Sequence, residues 1–395
     1  MNPMSEIKSK NEYTIFEIIR REGPISRASL AKKTGLTRGT VSCLTKEMID
    51  SGYIKESSIG ESKKGRGGRK PILLTLDNKK NFFIGVDAHW DIVSIAVSDI
   101  LGNILYQDSY DWEGILSPEE YFEKLEKAIL NIISKNKLDN KINSLGISMS
   151  GVIDSKKGIL RCLGHMNWPV VNVKKYLRKL NLPIYIDNRT SSSLVAETWF
   201  HYDVFPENAT VFFMNVIEGI GGALMVNGHL MKSNNNSIGE IGHTSINFSG
   251  KKCYCGRKGC LEMYVSDKVF VKVYSEKTGE KFLIDKNIRK TSEKIMEKSL
   301  SGDRIAREIL EDAAIKISVG ICNTVNFIAP GFIIIGGTIT KAWHIVEPII
   351  KKEVKKNSIE ESLGLINIRK SFYDDKSGLH GGIAIAIQGF MKNFH

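Results

Sequence analysis

The spacing of apolar positions changes character near residue 80, and that change divides the chain. Before it, apolar residues recur at helical intervals. Tyr13, Ile15, Phe16, Ile18 and Ile19 predict one amphipathic helix, which Gly23-Pro24 ends. Ser26 is placed to cap a second helix through Lys33, carrying Ala28, Leu30 and Ala31. Gly35 turns the chain, and Thr37 caps a third helix through about Asp50 with Val41, Leu44 and Met48 inward. After Gly52-Tyr53-Ile54, the run ESSIGESKKGRGGRKPILLTLD reads as a strand, a basic glycine-rich loop and a second strand. From Phe82 the period becomes that of strands, with three antiparallel runs to Trp112 and a turn at 99–103. A helix over SPEEYFEKLEKAILNIISKNK, a buried strand SLGISMSGVID, a strand ending at 183–187 and a helix over 191–200 come next. TVFFMNVIEGIGGALMVNGHL reads as another hairpin, FIIIGGTIT as a strand running into a glycine turn, and SGLHGGIAIAIQGFMKN as a closing helix. Strand triplets alternating with helices, given twice, predict two α/β lobes with a cleft between them.

The two short helices joined by Lys32-Lys33-Thr34-Gly35-Leu36-Thr37 make a helix-turn-helix, and the strand–loop–strand after them makes a wing. In that motif the second helix enters the major groove with its N-terminal residues on base edges. Thr37, Arg38, Gly39, Thr40 and Ser42 are the expected reading surface. Arg38 is the candidate for a guanine, because its planar fork bonds two acceptors at once. Thr40 and Ser42 are also placed for phosphate. Lys63, Lys64, Arg66, Arg69 and Lys70 on the wing suit phosphate or minor-groove contact. Charge agrees. Residues 1–80 hold 17 Lys/Arg against 9 Asp/Glu, which is +8 of the chain's net +12, as expected where one end meets a polyanion. A solvated linker or a protein-docking module is the competing reading.

At 395 residues, with 42% hydrophobic and 25% charged content, the chain is long enough for two or three packed domains. No apolar run reaches the length of a membrane span, and the N-terminus lacks a signal-peptide layout. A cytoplasmic location is expected, where clustered thiols bind metal more often than they form disulfides. Three of the six cysteines form C-x-C-x4-C at Cys253, Cys255 and Cys260, ten residues after His243. Three soft thiolates and an imidazole suit one closed tetrahedral structural zinc, with Gly256 and Gly259 supplying tight turns. A set of buried free thiols is the alternative. Cys43, Cys162 and Cys322 stand alone and read as small core residues.

GEIGH at 239–243, running on into C-x-C-G-x-x-G-C-L-E at 253–262, carries a resemblance that extends over residues 10–395. The chain resembles the ROK family (repressor, open reading frame, kinase) in its long form with an N-terminal winged helix-turn-helix. The resemblance implies an α/β fold in two parts. Residues 1–78 would be the winged DNA-binding domain. Residues 79–395 would be a two-lobed actin/hexokinase-like (ribonuclease H-like) sugar-kinase fold with a zinc knuckle at 243–260. It implies His243, Cys253, Cys255 and Cys260 as zinc ligands, and Ser150, Gly151, Asn188, Glu240, His243 and Glu262 as sugar-contacting positions. These types suit the chemistry, since carboxylates and an amide bond adjacent hydroxyls while glycine lets backbone approach. Trp168 falls where a cleft aromatic is expected, and reads equally as core.

Three departures from the family's kinases bear on function. Their first phosphate turn, D-x-G-G-T-K, is here Asp87-Ala88-His89-Trp90-Asp91. Their catalytic aspartate after the sugar-binding Asn is here Arg189, which stays protonated and takes no proton. Their second loop, G-T-G-I-G, is Ile217-Glu218-Gly219-Ile220-Gly221. Gly336-Gly337-Thr338 survives as one glycine turn. Arg189 suits an acidic or larger sugar, or an ion pair with Asp187 or Glu240. The expectation is a repressor, not an enzyme, that binds palindromic operator DNA as a homodimer or dimer of dimers. A small sugar inducer would release it, and no membrane is involved. An active sugar kinase with an attached DNA-binding domain, and a repressor relieved by a protein partner, are the rival readings.

Overall fold

The fold is described from a computed structural model, over residues 3–59, 70–112, 114, 116–162, 168–234, 237–282, 288–359 and 366–393. Lys63, Lys64, Arg66 and Arg69 of the expected wing lie outside these residues. The chain forms two compact units, Met1–Arg189 with Leu379–His395, and Thr190–Gly378.

The first unit begins with α1 (Pro3–Glu22), β1 (Ile25–Ser26), α2 (Arg27–Thr34), α3 (Arg38–Asp50), β2 (Ile54–Ile59) and β3 (Ile72–Leu76). The three strands form one sheet in the order β1-β3-β2. Both expected caps are in place. Ser26 accepts from the Ser29 amide, Thr37 accepts from the Thr40 amide, and Gly35 adopts φ 71° to close α2. Leu30, Val41, Leu44 and Met48 fill the small core between the helices. Ala28, expected inward, is exposed. Cys43, also expected in the core, is exposed on α3. It follows Val41 and precedes Leu44, the residues that do turn inward, and so projects from the opposite face. Cys322 is buried as expected, and the side chain of Cys162 lies outside the described residues.

The rest of this unit is a five-stranded sheet in the order β11-β7-β4-β5-β6. Its strands are β4 (Phe82–Ala88), β5 (Ile92–Asp99), β6 (Ile104–Asp111), β7 (Ile142–Met149) and β11 (Ile184–Asn188). β4, β5 and β6 pair antiparallel, whereas β7 and β11 run parallel to β4. Helix α4 (Pro118–Lys135) starts with a full capping box between Ser117 and Glu120. A small side sheet follows β7, made of β8 (Val152–Asp154), β9 (Ile159–Cys162) and β10 (Val171–Asn172). α5 (Val173–Tyr176) is a single turn.

The closing helix, α11 (Ser377–Lys392), lies directly on this sheet. A Cβ on Gly146 would stand 2.0 Å from the Gly382 carbonyl oxygen, and one on Gly85 would stand 2.6 Å from the Ile383 amide nitrogen. Glycine at both positions is therefore a condition of that packing. The far end of α11 reaches the winged segment. Phe390 sits 5.8 Å from Tyr53 and 5.8 Å from Phe83 between ring centroids, and Lys392 lies 5.7 Å from the centre of the Tyr13 ring.

The second unit repeats the plan. Its sheet runs β14-β13-β12-β15-β16. The strands are β12 (Thr210–Val216), β13 (Ile220–Val226), β14 (His229–Leu230), β15 (Phe332–Gly337) and β16 (Asn367–Lys370). Again three antiparallel strands are extended by two parallel ones. α6 (Arg189–Phe200) leads into it, and α7 (Asp267–Thr278), α8 (Ile288–Leu300), α9 (Arg304–Ile328) and α10 (Trp343–Asn357) complete it. Its core gathers Met214, Leu261, Phe270, Ile317, Ile335 and Val346. No described helix is long and apolar enough to cross a membrane.

Candidate functional site

The exposed end of α3 carries the expected reading surface. Thr37, Arg38, Gly39 and Ser42 are exposed and Thr40 is half-buried. The Thr37 and Thr40 hydroxyls lie 2.9 Å apart, so both serve the cap as well as the surface. Lys46, not singled out from the sequence, is exposed on the same helix. Arg27 faces inward instead. It donates to Thr45 Oγ1 at 3.0 Å and pairs with Glu56 at 3.0 Å, tying α2, α3 and β2 together. Lys70 is exposed where the chain re-enters β3.

The parallel strands β7 and β11 end side by side, Asn188 opposite Met149. That end is where ligands collect in α/β sheets. Gly151 adopts φ 110°, and its carbonyl accepts the Asn188 side-chain amide at 2.9 Å. Ser150, Gly151 and Asn188 are thus brought together. Arg189 follows, and its guanidinium reaches Asp87 at 2.8 Å, with both side chains buried. Where the sequence offers Asp187 or Glu240 as the partner of Arg189, the structure shows Asp87, from the neighbouring first hairpin. Beyond it, His89 Nδ1 bonds Asp91, and the His89 carbonyl accepts from Tyr121 at 2.9 Å. Burial is the largest single influence on Asp91 and works against its charge, but the His89 bond, the His89 charge and the Asp91 and Ile92 amides together hold the carboxyl below its ordinary range. Trp168 packs beside Tyr121 and Phe122, its indole N–H donating to the Leu116 carbonyl at 2.9 Å. Core packing is its observed role.

In the second unit two short 3-10 turns, Ile241–His243 and Leu261–Met263, hold the knuckle. Ser245 bridges Cys260, and the Thr244 carbonyl accepts the Leu261 amide at 3.0 Å. Glycine is required at 256 and 259, at φ 88° and 75°. The ligand atoms of His243, Cys253, Cys255 and Cys260 all lie within 4.8 Å of one another. Cys255 and Cys260 sulfurs are 3.6 Å apart, and His243 Nδ1 is 3.7 Å from the Cys253 sulfur. A disulfide needs about 2.05 Å. A tetrahedral ion with sulfur at about 2.3 Å separates its ligands by roughly 3.8 Å. The spacing fits a metal. The Arg257 amide, aided by its side chain, draws Cys255 down to about 6, while burial pushes Cys260 up to about 12. A divalent cation is what lets three adjacent thiols ionise together.

Glu262 projects from its turn and accepts the Ile220 amide at 2.8 Å. A Cβ on Gly219 would stand 2.7 Å from the same carboxylate. The second loop thus offers its amide to a protein carboxylate. Glu240 stands at the start of the turn that carries His243, and loss of hydration, with Glu262 nearby, raises its carboxyl above the ordinary range. Tyr254, overlooked in the sequence, meets His243 edge to face with its hydroxyl 3.3 Å from Nε2. Thr338, in the surviving glycine turn, donates to buried Asp267 at 3.1 Å.

Residues 83–389 match the ROK family, and residues 8–55 match the winged helix-turn-helix DNA-binding family. The chain belongs to the ROK family. It is 26% identical to the xylose repressor of Caldicellulosiruptor bescii, over 98% of this chain and 97% of that protein. To the N-acetylglucosamine repressor of Escherichia coli it is 24% identical, over 98% and 94%. Among solved structures, a ROK family transcriptional regulator described as a homologue of the E. coli MLC protein superposes with TM-score 0.83. That match has 23% identity and covers 98% of this chain and 97% of the other. The shared fold therefore includes the winged segment, which a ROK domain alone would lack.

Proposed function

We propose that this ROK chain is a sugar-responsive transcriptional repressor whose kinase chemistry is gone. Residues 1–78 would bind a palindromic operator as a dimer, through Thr37, Arg38, Gly39, Thr40, Ser42 and the wing lysines and arginines. Residues 79–395 would sense a sugar through Ser150, Gly151, Asn188, Glu240, His243 and Glu262. Zinc on His243, Cys253, Cys255 and Cys260 would cross-link the knuckle and fix the His243 tautomer.

The Arg189–Asp87 ion pair carries the reading against catalysis. Phosphoryl transfer is positioning and electrostatics, and here the residue in the base's place is a cation already neutralised by a buried carboxylate. The names of both repressor relatives support the regulatory half of the reading. A sugar that prefers the released state about a hundredfold would shift operator binding by about 2.7 kcal/mol per site.

Duplexes selected from a random pool by the full chain give the operator, and fluorescence anisotropy then gives its affinity. Arg38→Ala should weaken that operator roughly tenfold and relax its preference at one base pair. Among D-xylose and N-acetyl-D-glucosamine, at least one should release the chain from its operator. Selection that yields no preferred duplex ends the reading.

A further inference from the structure

Tyr254 stands between two of the knuckle cysteines, so the fold that clusters the thiols also aims its ring. The hydroxyl lies 3.3 Å from His243 Nε2 and also hydrogen-bonds Glu262. A phenol has one proton to give and lone pairs to receive. His243 Nδ1 faces the Cys253 sulfur and belongs to the metal cluster, which assigns the imidazole proton to Nε2. The bonds therefore run in one direction: Nε2–H donates to the phenol oxygen, and the phenol O–H donates to the Glu262 carboxylate. Glu262 is itself anchored by the Ile220 amide at 2.8 Å.

A sugar hydroxyl is the same kind of group, donor and acceptor at one oxygen. The proposed function assigns His243 and Glu262 to sugar, and the inference rests on that assignment. We propose that Tyr254 is an internal competitor at this subsite, its hydroxyl holding the place of one sugar hydroxyl and so setting affinity and selectivity. A ligand hydroxyl displaces it by making the same two bonds. The ring, 59% exposed, has solvent to turn into. A sugar without a hydroxyl at that carbon leaves the phenol where it is and gains neither bond.

The test is calorimetric titration of the zinc-loaded full chain with D-xylose and with N-acetyl-D-glucosamine. Wild type is compared with Tyr254→Phe and Glu262→Gln, zinc content and Tm being checked for each. Tyr254→Phe keeps the ring and frees both partners, so the sugar that binds should bind about threefold to tenfold tighter. Unchanged or weaker binding by Tyr254→Phe, with binding lost in Glu262→Gln, overturns the competitor and leaves the sugar site standing. Undiminished binding by Glu262→Gln, or no binding of either probe by wild type, overturns the site assignment and the competitor with it.

Discussion

A single carboxyl shows how this chain uses burial. Glu197 on α6 is fully buried, and accepts from Ser371 Oγ and from the Phe372 amide at 3.1 Å. Phe372 is in turn stacked between the His201 ring, 3.6 Å away, and the Arg369 guanidinium, 3.9 Å away. Loss of hydration exceeds what these bonds return, and the carboxyl is pushed from 4.5 up to about 7. Because the folded value is the higher one, the folded chain binds the extra proton. The associated stability is complete below pH 4.5 and lost as pH rises through about 7. The shift corresponds to about 3 kcal/mol. Asp267, buried and likewise pushed up to about 7, acts in the same direction. Urea unfolding should therefore show lower stability at pH 8 than at pH 5, and Glu197→Gln should remove a large part of that slope. A slope identical in the variant would refute the assignment to Glu197.

At the level of elements, α11 matters most. Its N-terminal half is sealed to β4 and β7 by glycines, and its last turn supports the winged segment through Phe390. Asn81 adds a polar link, donating to the Gly52 carbonyl at 2.8 Å. Truncating the half-buried Phe390 ring removes contact with both Tyr53 and Phe83. Phe390→Ala should cost about 2 kcal/mol of local stability, below the range for a fully buried ring. Amide exchange should quicken in α1 and the β2–β3 hairpin and stay unchanged in β12. The helix itself was legible in sequence, since its small and apolar residues are continuous. Its role was not, because nothing local to residues 377–392 indicates which distant strand demands glycine.

For the whole molecule, what was legible follows the range of the interaction that fixes it. Caps, turns and strand triplets are set by neighbours in sequence, and Ser26, Thr37 and Gly35 stand where their types predicted. The thiol knuckle was legible for the same reason, its ligands lying within 18 residues. Asp87 as the partner of Arg189 was not, since 102 positions separate them. Cys43 misled because a helix position is read only relative to a face that the rest of the fold defines. Tyr254 was not legible because nothing in the sequence around a thiol knuckle indicates that a phenol within it meets His243, which lies 11 positions away. For the assembled protein, coupled ADP-release assays with ATP and D-glucose, D-xylose or N-acetyl-D-glucosamine should stay at the blank rate. Turnover above it would contradict the proposed absence of transfer chemistry.

The Asp87–Arg189 pair also bears on descent. On the proposed reading, Arg189→Asp alone would return the acid but not the glycines of either phosphate turn, since Ala88-His89-Trp90 and Ile217-Glu218 would still stand in their places. Recovery of catalysis would then need changes in three separated stretches of chain, which makes the way back a long one.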